Sequence, residues 1–216
     1  MLSSSFIKLM EVLPKPLVMK LAKMKVNGYM RKYAKINVKG LENIDKISGP
    51  KIFVCNHLSN SDGLVLNEVL KRYDPTFVAG VKLSNNPITS IGSMVVKKIS
   101  INPNTVDKDA IIKMMDILKS GNNLMIFPEG TRSRQGKMLE GKKGVLLVAK
   151  MSKATIIPIS MWGTEKLLPV NKDDNMATEE WNFSDVNVVI NKAVEIPKKD
   201  KNELKHDYDD RCMNII

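Results

Sequence analysis

The stretch FVCNHLSNSDGLVL, residues 53–66, decides how this chain is read. An apolar, strand-like run at 51–55 gives out into Asn56, His57 and further polar residues, and a second apolar run opens at Asp62. Strand, short polar loop and helix form the repeating unit of a parallel sheet. The same alternation continues on both sides. Strand candidates fall at 36–38, 51–55, 76–80, 98–101, 124–127, 155–160 and 185–190, and helix candidates at 62–73, 87–95, 106–119 and 142–151. The pattern predicts an α/β fold, a mostly parallel sheet covered by helices. Sites in such sheets form at the carboxyl ends of strands, and His57 falls at one of these ends.

The chain has 216 residues, 43% of them hydrophobic and 26% charged, enough to bury a core in one α/β domain with short appendages. Cys55 and Cys212 are far apart and form neither a disulfide framework nor a C-x-x-C metal site, so a reducing, intracellular compartment is the expectation. Of the net charge of +11, +8 lies in the first 39 residues, which hold nine Lys or Arg against Glu11 alone. A basic end on a nearly balanced body points to an anionic surface, nucleic acid or phospholipid. Aromatic residues are only 5%, and no recognition-helix or RNA-binding signature is present, which argues against nucleic acid.

That basic end is amphipathic. Phe6, Met10, Leu13, Leu17, Leu21 and Met24 recur at helical spacing, with Lys15, Lys20, Lys23 and Lys25 among them. Pro14 and Pro16 should split the segment into two short helices, Pro16 opening the second. Residues 1–35 are therefore expected to form a basic amphipathic helical hairpin ending near Gly28, with residues 36–216 forming the α/β domain. The hairpin can lie in a membrane interface, or pack on the domain with its lysines in water. No apolar run approaches the roughly 18–20 residues that span a bilayer. Charged residues interrupt any signal-peptide core, so a soluble or monotopic protein is the expectation.

Several chemistries lack their motif: there is no G-x-S-x-G, no G-x-G-x-x-G after a strand and no H-E-x-x-H. GTRSRQGKM, residues 130–138, imitates a phosphate loop but has five residues between its glycines instead of four, and Met138 where a magnesium-binding hydroxyl belongs. Two polar segments remain. In NHLSNSD, residues 56–62, Asp62 can fold back onto His57, fixing its tautomer and stabilising the imidazolium formed when the ring takes a proton. Alternatively Asp62, or Ser61, caps the next helix and His57 is a loop residue. One carboxylate oxygen on a helix N–H and the other on the imidazole would satisfy both readings. In MIFPEGTRSR, residues 125–134, Arg132 and Arg134 beside Thr131 and Ser133 suit a phosphate grip, or an exposed turn.

Together, His57-x-x-x-x-Asp62 and the run Phe127, Pro128, Glu129, Gly130, Thr131, Arg132 resemble the first and third motifs of the glycerolipid acyltransferases, most of all the 1-acyl-glycerol-3-phosphate acyltransferases. The likeness extends from about Gly40 to Pro169, and IIPIS, residues 156–160, stands where that family has its fourth motif. The second motif departs from the pattern. In VVKKISINPNTVD, residues 95–107, Asn102 and Pro103 stand where an Arg is expected. Lys97 or Lys98 could supply the charge instead, and Lys82 in AGVKLSNN resembles a family lysine ahead of this motif.

The resemblance implies an acyltransferase of phospholipid synthesis, with residues 36–216 as its catalytic domain. His57 would be the general base and Asp62 its orienter. A free glycerol hydroxyl of lysophosphatidic acid would attack an acyl thioester directly, giving phosphatidic acid. Residues 127–132 would shape the glycerol-phosphate pocket, with Arg132 pairing the phosphate, Glu129 holding the turn or the glycerol, and Gly130 allowing close backbone approach. Lys82 and Lys97 are further substrate-binding candidates. No bound cofactor or metal is implied; the acyl donor is acyl-CoA or acyl carrier protein. The hairpin would hold the enzyme peripherally on anionic phospholipid at the cytoplasmic face of the cell membrane. The competing readings are a relative using glycerol-3-phosphate or another lysophospholipid, and a non-catalytic basic binding module.

Overall fold

The computed structural model describes residues 13–80, 95–102, 108–171 and 179–216. Its elements, in chain order, are α1 (Lys15–Tyr33), β1 (Ala34–Lys39), α2 (Glu42–Asp45), β2 (Lys51–Cys55), α3 (Asp62–Val69), β3 (Thr76–Gly80), β4 (Lys98–Ile101), α4 (Lys108–Lys119), β5 (Leu124–Ile126), α5 (Gly144–Ser152), β6 (Thr155–Trp162), α6 (Thr164–Leu167), β7 (Ser184–Ile190) and α7 (Lys205–Met213). A single sheet runs β1-β7-β6-β2-β5-β3-β4. The block β6-β2-β5-β3-β4 is parallel throughout. β7 pairs antiparallel with β6 and parallel with β1, so the outer pair runs against the block. The expected mostly parallel α/β fold is therefore the observed one.

Every residue of β2 is buried, as a central strand covered on both faces requires. The period of two sends Phe53 and Cys55 to one core with Met125, Ile157 and Ile159, while Ile52 and Val54 join Leu124, Ile126 and Ile156 in the other. α3 packs on the first core through Val65 and Leu66, and α4 and α5 on the second through Met114, Leu118, Leu146 and Val148. The helix read at 62–73 divides into α3 and a 3-10 turn, Lys71–Tyr73. Near the C-terminal end, α7 places Cys212 in the second core.

At the N-terminal end, Pro14 precedes α1 and Pro16 lies in its first turn, where a missing N–H costs nothing. The helix does not end near Gly28 but continues to Tyr33 and feeds directly into β1. A glycine inside a helix costs about 1 kcal/mol. Burial of Met30, stacking of Tyr29 on Trp181 and the tilted contact of Tyr33 with the same ring offset it. Val18, Ala22 and Val95 form a small separate core under the helix, leaving Leu17, Met19 and Met24 exposed beside Lys20 and Lys23. The first arm of the expected hairpin, most of the helix candidate at 87–95, and Lys82 lie outside the described residues. No described helix is long and apolar enough to cross a membrane.

Candidate active site

β2 and β5 are parallel neighbours, with Val54 level with Ile126, so the segments leaving them emerge side by side. They are tied at both backbone groups of His57. Its N–H donates to Glu129 Oε1 at 2.7 Å, and its carbonyl accepts from the Ser133 N–H at 2.8 Å. The His57 ring lies on the Phe127 ring, with centroids 4.1 Å apart and planes 16° from parallel. Two segments about seventy residues apart thus form one rim.

His57 Nδ1 is 2.7 Å from Asp62 Oδ2, which also accepts from the N–H groups of Leu58 (2.7 Å) and Ser59 (2.9 Å). Asp62 is fully buried at the first position of α3. It does not cap the helix. One oxygen serves both the loop and the imidazole, while Oδ1 is buried without a hydrogen-bond partner among the described residues. A carboxylate accepting a hydrogen bond from Nδ1–H leaves the Nε2 lone pair as the basic position of a neutral ring.

Glu129 is buried, with its second oxygen accepting from the Leu139 N–H at 3.0 Å. Burial raises its pKa and prevails over the two N–H groups and the nearby His57, which draw it down. Its two oxygens thus tie the His57 loop to the Leu139 segment. Gly130 adopts φ +68°, a left-handed conformation that favours glycine, and only the flexible end of the Lys142 side chain lies close to where a Cβ would stand. Pro128 is half-buried and its carbonyl accepts the Lys142 N–H. Thr131 is exposed, as is Arg134. Ser133 is turned inward, accepting from the N–H groups of Gln135 and Lys137.

Arg132 is largely buried and donates to Asn60 Oδ1 at 2.6 Å; its Nη1 is 3.9 Å from Glu179 Oε1. Asn60 belongs to the His57–Asp62 loop, so the cation and the imidazole are joined through one short segment. Asn60 and Glu179 were not singled out from sequence. Asn60 is a spacer residue of its motif, and Glu179 sits in a stretch with little periodicity.

Lys97 is not brought to this rim. It precedes β4, level with Thr76 at the amino end of the parallel block, and its ammonium donates to Asp74 at 2.7 Å. A residue at the start of a strand cannot serve a site at the strands' far ends. Lys98 is also low in β4, and burial depresses its pKa. Asn102, at the expected arginine position, does follow the carboxyl end of β4. Cys55 is buried beneath the rim, and burial, followed by the charges of Asp62 and Glu129, pushes its thiol well above the ordinary range, which disarms it as a nucleophile. A surface depression of about 310 Å³ lies elsewhere, between the end of α1 and the start of β7.

A family model described as Acyltransferase matches residues 35–162. The chloroplastic 1-acyl-sn-glycerol-3-phosphate acyltransferase of Arabidopsis thaliana is 29% identical over 171 residues, 78% of this chain and 46% of the plant protein. A 1-acyl-sn-glycerol-3-phosphate acyltransferase of Chlamydomonas reinhardtii is 30% identical over 176 residues, 80% of this chain and 50% of its own. The chain thus spans about half the length of these curated relatives. The crystal structure of the 1-acyl-sn-glycerophosphate acyltransferase of Thermotoga maritima shares the fold, with a TM-score of 0.63 and 21% identity over 98% of this chain and 84% of that one. The matched family region runs from β1 to the end of β6 and contains His57, Asp62 and the whole run from Phe127 to Arg132: the chain belongs to the Acyltransferase family.

Proposed function

We propose that this protein transfers a fatty acyl group from an acyl thioester to the free hydroxyl of 1-acyl-glycerol-3-phosphate, giving phosphatidic acid. The observation that carries the reading is the 2.7 Å contact of Asp62 Oδ2 with His57 Nδ1, on a rim that also holds Arg132. Nε2 of His57 takes the hydroxyl proton as the glycerol oxygen attacks the thioester carbonyl. The tetrahedral adduct expels the thiolate, which recovers the proton from the imidazolium. Asp62 stabilises that imidazolium without being protonated itself. General-base assistance of this kind contributes about 10²–10⁴ in rate. The acceptor's phosphate pairs with Arg132, whose planar fork of donors matches phosphate oxygens. The donor is acyl-CoA or acyl carrier protein.

The enzyme works peripherally on anionic phospholipid at the cytoplasmic face, with α1 as the contact. The support is the exposed Leu17, Met19 and Met24 beside Lys20 and Lys23. Each basic residue near an anionic surface adds about 1 kcal/mol of attraction. β1 and β7 run against the parallel block, so the end of α1, feeding β1, lies at the same end of the sheet as His57. Formation of labelled phosphatidic acid from lysophosphatidic acid and an acyl thioester tests the activity. Flotation with anionic liposomes, reduced by Lys20→Glu/Lys23→Glu, tests the contact.

A further inference from the structure

Arg132 does not face an open pocket. Asn60 and Arg132 converge on the carboxylate of Glu179: Asn60 Nδ2 donates to both of its oxygens, at 2.7 and 2.6 Å, and Arg132 Nη1 stands 3.9 Å from Oε1. The guanidinium can only donate, so Asn60 must offer it oxygen and turn its amide nitrogen to Glu179. The Glu179 side chain is only 2% exposed. A carboxylate so thoroughly removed from water needs a cation and donors in place, and this one has recruited the arginine assigned above to phosphate.

The carboxylate is delivered by a fixed segment. Two residues on, Trp181 stacks on Tyr29 at 5.7 Å, 9° from parallel, and lies 6.5 Å from Tyr33. The next N–H, that of Asn182, donates to the Leu167 carbonyl at 2.9 Å, and Phe183 packs on Tyr33 at 5.0 Å. Glu179 is thereby held over the arginine by the end of α1 and the end of α6.

We propose that Glu179 is an internal competitor for the acceptor's phosphate, and so a residue that sets head-group affinity. This rests on the reading of Arg132 as the phosphate partner. The glutamate oxygens accept from Asn60 and lie at ion-pair distance from Arg132, in the place a phosphate oxygen would take. A phosphate dianion arriving there meets a like charge at contact distance, so the acceptor binds as Glu179 withdraws. Asn60 then passes its amide donor from carboxylate to phosphate, which makes it a second head-group residue.

Steady-state kinetics of Glu179→Gln and Glu179→Asp, with lysophosphatidic acid varied and inorganic phosphate as competitive inhibitor, tests the proposal. Glutamine keeps the shape and removes the charge; aspartate keeps the charge and retracts it. Glu179→Gln is expected to lower KM for the acceptor and the inhibition constant of phosphate together, by about tenfold, within the usual range for two coupled binding events. The change should be carried by KM rather than kcat, and Glu179→Asp should move both constants the same way by less. Unchanged or raised constants in folded Glu179→Gln, or in Glu179→Asp should the first not fold, would overturn it. Arg132→Ala separates the two ideas. A raised acceptor KM there, with no effect at Glu179, removes the competitor and leaves the clamp. No effect of Arg132→Ala removes both.

Discussion

The main-chain N–H of His57 donates to one carboxylate oxygen of Glu129, and the other oxygen of Glu129 accepts from Leu139. A single buried side chain therefore fixes the histidine loop, its own turn and the segment that follows. Glutamine can replace only one of these acceptors, because its second terminal atom is a donor. Glu129→Gln should lose about 1–3 kcal/mol of stability, the cost of a buried unpaired N–H. It should also lose about 10²-fold in kcat through displacement of the base. Thermal unfolding and turnover check this; unaltered kcat would mean that the loop keeps its place without Glu129.

Asp62 accepts three hydrogen bonds on one oxygen, so its charge matters more than its shape. Asp62→Asn should lower kcat by about 10²–10⁴ with little change in KM for either substrate, as expected for a partner that stabilises the imidazolium. A rise in KM with kcat retained would assign Asp62 to the loop alone.

Cys55 lies two residues from His57, and its thiol is held protonated by burial. Cys55→Ala should retain turnover, at roughly 1 kcal/mol in stability. Thiol alkylation of the folded protein should not inactivate it. Loss of turnover in folded Cys55→Ala would reopen a covalent route.

Glu203 is held down to about 2 by the hydrogen bond from Arg211, which fastens the tail ahead of α7. The folded value lies below that of the unfolded chain, so the pair stabilises above the ordinary carboxylate range and the contribution fades as pH falls toward about 2. Arg211→Ala should lower Tm at neutral pH, and its deficit should shrink between about pH 5 and pH 2. A deficit constant across that window would show that another contact of Arg211, such as its bond to the Lys198 carbonyl, dominates.

Much of this was legible from short-range pattern. The runs 51–55, 76–80 and 98–101 are the strands found: the covered strand 51–55 writes itself as a continuous apolar run, while the edge strand 98–101 shows in the alternation of Ile99 and Ile101 with Lys98 and Ser100. Gly28 misled, because packing of Tyr29, Met30 and Tyr33 overrode its local preference. Lys97 misled because a motif's position along the chain does not say which end of a strand a residue occupies. Glu179 and Asn60 carried no local signal, since their pairing with Arg132 joins positions far apart in sequence and exists only in the folded chain.

The most direct test of the central claim is product formation by wild type and His57→Ala with lysophosphatidic acid, glycerol-3-phosphate and other lysophospholipids as acceptors, and acyl-CoA and acyl carrier protein as donors. Wild type should convert lysophosphatidic acid to phosphatidic acid in preference to the other acceptors. Folded His57→Ala should lose about 10²–10⁴ of that rate. Absence of product across the whole panel, or wild-type turnover in His57→Ala, would contradict the account.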